Sequence, residues 1–350
     1  MSKPKVTIYT IANEVGVSAS TVSRAFDPRT KVSPKTRRRI LDTAQRLGYV
    51  SNKHASRLSS DPMWIGVLIY GYIPAFYNEY ITGLRDAHAE YADYKVNLDL
   101  RVLSAQENGI DDIHAVLDQF VASGYEGVIV CGLRKAKYVD KLNQLTEAGI
   151  KLIVLGGDLE GSLRDGVAMN DFVTTGEMAA QLLRCAMGKS GNVAVFAESV
   201  DNANHRKQLS SFCSASATYG NHISAVYYTD NIPETAELAA ENMLASCDDI
   251  MGIYISTANS IPILNALDRA NKTKQFVILA SDVFLDLNQR IRNGDVFATI
   301  YQNPYQLARA AFETLAMHLL ENEPITEFIL SRPKIVMSSN LHLYEKNNVE

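Results

Sequence analysis

Nothing in these 350 residues is long and apolar enough to span a membrane; the longest apolar run, WIGVLIY at 64–70, is strand-sized. No apolar stretch follows the first lysines, so the expectation is a cytoplasmic chain with no membrane attachment. Cysteine is scarce. Cys131, Cys185, Cys213 and Cys247 stand far apart with no CxxC pair, which speaks against a disulfide framework and for reduced thiols. Enzyme signatures are missing as well: there is no GxSxG elbow, no HExxH, no P-loop and no GxGxxG after a first strand. GGDLEG at 156–161 has glycines at another spacing. His205 with Asp282, or Asp171 with Asp282, would offer an acid and a base, but no motif around them activates either. His205 itself lies in a run that reads as a loop. The reading is therefore a chain that is not an enzyme and uses no cofactor and no metal.

Acidic residues are few at one end. The net charge is −5, yet residues 1–60 carry twelve Lys and Arg against only Glu14, Asp27 and Asp42, an excess of +9 that leaves −14 for the remainder. A solvated surface explains positive charge but not its segregation; a basic head on an acidic body predicts a polyanion partner for the head.

The head reads as short helices. Ile8, Ile11, Ala12 and Val15 recur at helical spacing behind Thr7, a residue suited to capping. Gly16 supplies a tight turn, and Ser18 caps a second helix running to about Phe26, with Val22, Ala25 and Phe26 inward and Ala19, Ser20, Ser23 and Arg24 outward. Ser33 and Pro34 open a third helix whose apolar stripe is Ile40, Leu41, Ala44 and Leu47, stopped by Gly48. Two short helices about a glycine turn, braced by a third, make a DNA-binding helix-turn-helix.

TIYTIANEVGVSASTVSRAF, followed by VSPKTRRRILDTAQRLGY, closely resembles the head of the LacI/GalR family of bacterial transcriptional regulators, and NKHASRLS at 52–59 resembles its hinge helix. The resemblance covers about 60 residues, with Ser51 where the family usually has proline. It implies that Ala19, Ser20 and Arg24 read bases. Thr7, Ser18, Thr21 and Ser23 would anchor phosphates, and Asn52, Ala55 and Leu58 would serve the hinge, with Ala55 and Leu58 entering the minor groove. Arg24 has the fork geometry for guanine O6 and N7, and small hydroxyls suit phosphate oxygens.

From Trp64 the pattern changes to short β-rich runs (WIGVLIY, GVIVCGL, IKLIVLGG, NVAVFAE, ISAVYYT, IMGIYIST, FVILASD) separated by helical stretches such as 79–92, 111–123, 174–187 and 235–246. Strands alternating with helices predict doubly wound parallel sheets, and at least seven strands fit two subdomains. The expected division is a head at 1–50, a hinge and linker at 51–62, and an effector-binding domain at 63–350. Within that domain the first subdomain is expected at about 63–165 and 301–330, and the second at about 166–298 and 333–345. The segments around ATIYQNP and ILSRPKI cross back between them.

This body resembles the type I periplasmic sugar-binding-protein fold that the same family uses for effector recognition. The resemblance implies ligand contacts from Phe76, Asp171, His205, Gln208, Asn259, Asp282 and Gln302, with Gln208 where the family's pocket arginine is expected and Phe172 where it has asparagine. An apolar wall with a few convergent carboxylates and amides suits vicinal hydroxyls, so the expected ligand is a sugar or polyol. The whole reads as an all-α helix-turn-helix head followed by an α/β body: a repressor that binds double-stranded DNA at a pseudo-palindromic operator as a homodimer and is switched by a small molecule. The alternative is a sugar-binding receptor without a transcriptional role, which leaves the basic head unexplained.

Overall fold

The computed structural model describes residues 6–26, 31–47, 49, 61–71, 74–104, 106–133, 135–246 and 249–345, and at 74–76 only the backbone. The chain forms two compact units, Met1–Pro62 with Ala92–Lys95, and Met63–Tyr91 with Val96–Glu350.

In the head, the helical spacing of Ile11, Ala12 and Val15 builds α1 (Ile8–Val15), which buries all three. Thr7 caps it: its hydroxyl accepts from the Thr10 amide at 3.4 Å, and its own amide donates to the Thr10 hydroxyl at 3.2 Å. This is a reciprocal capping box with threonine in the place of the usual Glu or Gln. Gly16 ends α1 at φ 72°, a left-handed conformation that side chains avoid. Ser18 then accepts from the Thr21 amide at 3.1 Å and starts α2 (Ala19–Phe26). α3 (Pro34–Arg46) begins at Ser33, whose hydroxyl accepts from the Thr36 amide at 3.2 Å, with Pro34 at its first position.

The three helices share a core of Ile11, Ala12, Val15, Val22, Ala25, Ile40 and Ala44. Two guanidiniums of α3 brace it: Arg37 donates to the Ala25 carbonyl at 2.9 Å and Arg39 to the Val15 carbonyl at 3.3 Å, placing positive charge at the C-terminal ends of α2 and α1. Leu41 is not part of the apolar stripe. It follows Ile40 by one residue, about 100° round the helix, and is exposed. Gly48 and the expected hinge helix, with Asn52, Ala55 and Leu58, lie outside the described residues.

The second unit alternates strand and helix. Its first sheet draws on β1 (Met63–Gly71), β2 (Val96–Ser104), β3 (Gly127–Cys131), β4 (Lys151–Leu155) and β5 (Gly166–Asn170), interleaved with α4 (Pro74–Tyr91), α5 (Ile110–Ala122) and α6 (Val139–Glu147). After α7 (Phe172–Met187) come β6 (Asn192–Ala197), α8 (Ala203–Thr218), β7 (His222–Tyr228), α9 (Pro233–Ser246) and β8 (Ile250–Ile255). α10 (Ser260–Arg269), β9 (Val277–Ser281), α11 (Leu285–Arg292) and β10 (Ala298–Tyr301) follow, then α12 (Pro304–Glu321), β11 (Phe328–Ser331) and β12 (Lys334–Val336). Among the described residues these strands form two six-stranded sheets, β11-β5-β4-β3-β1-β2 and β12-β10-β9-β8-β6-β7. Every pair is parallel except β10 with β12.

The expected boundary at 165/166 is corrected by β5. Its residues pair with β4 and β11, so Gly166–Asn170 belongs to the first sheet and the chain crosses only at Asp171. The returns fall where the sequence places them, between β10 and α12 and between β11 and β12. β2 escapes a hydrophobicity reading because it is an edge strand: Asp99 and Arg101 pair on it at 2.7 Å, and only Val96 is buried. No helix among the described residues is long and apolar enough to cross a membrane.

Candidate functional site

On the head, Ser20 and Arg24 are exposed along α2, while Thr21 and Ser23 are half-buried. Ala19 departs from expectation. It stands three residues before Val22 and seven before Phe26, on the face they share, and packs against the core. At the start of α2 the Ser18 hydroxyl lies 2.8 Å from those of both Ser20 and Thr21. Three hydroxyls thus gather where the helix amides open, an arrangement suited to an anionic oxygen. Arg46 is paired with Glu14, and Arg37 and Arg39 hold helix ends, so these three of the head's twelve cations are engaged within the fold. Lys31, Lys35 and Arg38 are exposed. Tyr9 was not anticipated: it is 67% exposed on α1, two residues past the Thr7 cap.

In the body, Asp171, Asn259, Asp282 and Gln302 follow the C-terminal ends of β5, β8, β9 and β10, the side on which doubly wound sheets bind ligands. Asp282 follows β9 at φ 63° and is buried. Its carboxyl oxygens accept from the Gln302 amide at 3.1 Å and from the Gln302 side chain at 2.6 Å. Gln302 also accepts from the Asn170 side chain, and its carbonyl accepts from the Ser331 hydroxyl at 2.5 Å. Gln302 therefore ties together all three crossings between the sheets. One residue earlier, the Tyr301 hydroxyl donates to Glu79 at 2.5 Å. Glu79 is a buried carboxyl of α4 that sequence reasoning passed over; its only signal is a charge on the inward side of an amphipathic helix. Burial pushes both carboxyls up to about 7. For Asp282 the Gln302 hydrogen bonds oppose the effect and the charge of Glu79 adds to it; for Glu79 the Tyr301 hydrogen bond opposes it.

Other predicted residues have these surroundings. His205 is not in a loop but in the first turn of α8, which Asn202 caps by accepting from the Asn204 amide at 3.1 Å. Its Nε2 lies 3.0 Å from Glu198, its ring 5.8 Å from that of Phe172, and its Nδ1 is buried without a partner. Gln208 turns inward, donating at 2.6 Å to the buried Tyr254 phenol, which stacks on Phe212 at 4.5 Å. Asp171 caps α7, its oxygens accepting from the Thr174 amide at 3.0 Å and hydroxyl at 2.7 Å. Asn259 precedes α10 but makes no side-chain cap, and its Nδ2 is buried and unpaired. The Phe76 side chain lies outside the described residues.

Of eight buried polar side-chain atoms without a partner among the described residues, four belong to this region: Asn170 Oδ1, His205 Nδ1, Asn259 Nδ2 and Ser260 Oγ. Buried polar groups nearly always find one. Across the cleft the lips touch. Asn204 donates to the Asp158 carbonyl at 3.4 Å, Lys207 reaches Glu160 at 3.4 Å, and a side chain at Gly157 would come within 2.6 Å of Asn204. An open groove of about 1130 Å³ between α7 and α8, lined by Val173, Glu177, Arg206 and Tyr219, holds none of the predicted effector residues.

Two family models match the chain: the periplasmic binding protein domain over residues 65–323, and the bacterial regulatory proteins of the lacI family over residues 7–52. Among curated relatives, catabolite control protein A of Priestia megaterium is 26% identical over 72% of this chain and 74% of its own. The HTH-type transcriptional regulator pepR1 of Lactobacillus delbrueckii subsp. lactis is 24% identical over 93% of this chain and 95% of its own. Among solved structures, the glucose-galactose binding protein GanP of Geobacillus stearothermophilus superposes with a TM-score of 0.71 at 19% identity, over 80% of this chain and 99% of that one. With a capped helix-turn-helix joined to two parallel sheets that carry polar groups at their strand ends, the chain belongs to the periplasmic binding protein domain family over its second part and carries the DNA-binding domain of the lacI family of bacterial regulatory proteins as its head.

Proposed function

We propose that the chain is a cytoplasmic repressor that binds a pseudo-palindromic operator as a homodimer and releases or grips it in response to an uncharged polyhydroxylated ligand, a sugar or polyol. The observation that carries the ligand class is the group of four unpaired buried polar atoms at the strand ends and helix starts, Asn170 Oδ1, His205 Nδ1, Asn259 Nδ2 and Ser260 Oγ. Two are hydrogen-bond acceptors or amphoteric and two are donors or amphoteric, a mixture that hydroxyls satisfy in either role. Gln208 in the place of an arginine, and turned inward at that, takes away the cation that would hold a phosphate or carboxylate at that position. The sugar named for GanP agrees with this class.

On DNA, Arg24 reads a guanine and Ser20 a neighbouring base edge, while Ala19 contributes packing. Thr7, Ser18, Thr21 and Ser23, with Tyr9, Lys31, Lys35 and Arg38, hold phosphates and set register. Asn52, Ala55 and Leu58 serve the hinge, with Leu58 as the wedge in the minor groove. A dimer presents two such helices to two half-sites. The ligand acts only as far as it prefers one arrangement of the cleft. No enzymatic step is assigned.

The test is operator selection from a random duplex pool, followed by binding titrations at several salt concentrations with and without a panel of sugars and polyols. A two-fold symmetric site, a steep salt slope and a ligand-dependent change in affinity are the expected results. Failure to enrich any symmetric sequence would remove the regulator reading and leave a sugar-binding module.

A further inference from the structure

Glu79 and Asp282 are the carboxyls buried where the second unit's two sheets exchange chain. Glu79 belongs to α4, beside the first sheet, and its partner Tyr301 is the last residue of β10 in the second. Asp282 ends β9 in the second sheet, and its partner Gln302 is joined to Asn170 and Ser331 of the first. Hydrogen bonds of these two carboxyls, passed on through Gln302, therefore span every crossing about which the two halves must turn.

Among the described residues no cation neutralises them. From β10 comes the Tyr301 phenol, from α12 the Tyr305 backbone, from β8 the Tyr254 phenol, and from β9 only Ser281 and Asp282 itself. Tyr344 packs edge-on against Tyr301 at 5.4 Å, and the Lys334 ammonium is turned to the Tyr344 ring at 5.7 Å. Further along α4 and α12, Asp86 takes the Tyr305 hydroxyl at 2.8 Å and Arg309 is held by Glu90 and Glu313, both at 2.8 Å. Two neighbouring buried carboxyls without a cation cannot both ionise cheaply, so they share a coupled titration.

We propose that Glu79 is a positioning residue of the switch: while its carboxyl and that of Asp282 hold a proton the three crossings stay locked in the arrangement seen here, and release of the proton leaves two buried like charges whose repulsion and need for water outweigh their hydrogen bonds, loosen the crossings and part the lips of the cleft. A carboxyl raised by burial binds its proton more tightly in the locked form than in an opened, hydrated one. Opening therefore releases a proton between the ordinary carboxylate range and about 7, becomes easier as pH rises through that window, and levels off above it. The lock does not depend on which ligand the cleft takes.

Hydrogen exchange of the full-length chain tests it without any ligand, at pH 5.5, 6.5, 7.5 and 8.5 with intrinsic rates corrected. Peptides covering 156–161 and 202–207 should open more readily by several-fold from pH 5.5 to 7.5, at most about tenfold per unit for one proton, and little further by 8.5. Glu79→Gln keeps an acceptor for Tyr301 but cannot ionise, and should flatten this profile. Asp282→Asn should do the same, and stands in if the first variant does not fold. A parent profile without pH dependence at these peptides, or variants that retain the parent's profile, would overturn the proposal.

Discussion

Asn259→Ala separates a ligand contact from a packing residue, because the two roles predict opposite signs. Asn259 is 4% exposed, makes no side-chain cap for α10, and leaves its Nδ2 without a partner. A buried donor left unpaired costs about 1–3 kcal/mol. Truncation relieves that cost and offsets the packing lost with the amide, so the melting temperature of the ligand-free protein should stay within a few degrees of the parent or rise. The bound state should suffer instead. A ligand hydroxyl that loses its donor in a dry site forfeits about 1–3 kcal/mol, which is roughly a 5- to 150-fold weaker dissociation constant. The assay is calorimetric titration with whichever sugar or polyol most raises the parent's melting temperature, beside thermal melts of the free proteins. Unchanged affinity together with a clearly lower melting temperature would refute the reasoning and make Asn259 a structural residue.

Arg24→Ala should remove about 1–3 kcal/mol of discrimination at one base pair per half-site, and an unchanged preference in operator selection would displace Arg24 from the bases. Leu58→Ala should reduce operator bending while leaving salt-driven nonspecific binding intact; gel mobility of circularly permuted operator fragments reads the bend. Gly16→Ala meets no atom within 4 Å, so its cost is the left-handed backbone alone, about 1–2 kcal/mol. That loss should appear as faster amide exchange in α1 and α2 with no change in the second unit. Asp282→Ala strips Gln302 of both its acceptors and frees the crossings, so operator binding should no longer respond to ligand, read by operator titration with and without it.

What could be read along the chain is what neighbours in sequence decide. Thr7, Ser18 and Ser33 cap helices through contacts three residues away, Gly16 turns because of its own φ, and the buried central strands announce themselves as apolar runs. The basic head, too, is a matter of composition. The edge strand β2 and the short β5 were illegible because their place depends on what they pair with, and β11, which flanks β5, lies about 160 residues further on. The roles of the polar residues were harder still. That Gln208 meets a phenol, that Asp171 caps a helix and that Asp282 is tied to Gln302 are matters of packing. Nothing local marks Glu79 as a partner of Tyr301, 222 residues distant, or Asn170 as a partner of Gln302, 132 residues distant. A hydrogen bond is a short-range interaction in space with no limit in sequence, so only the two folded sheets, crossing three times, could bring these groups together.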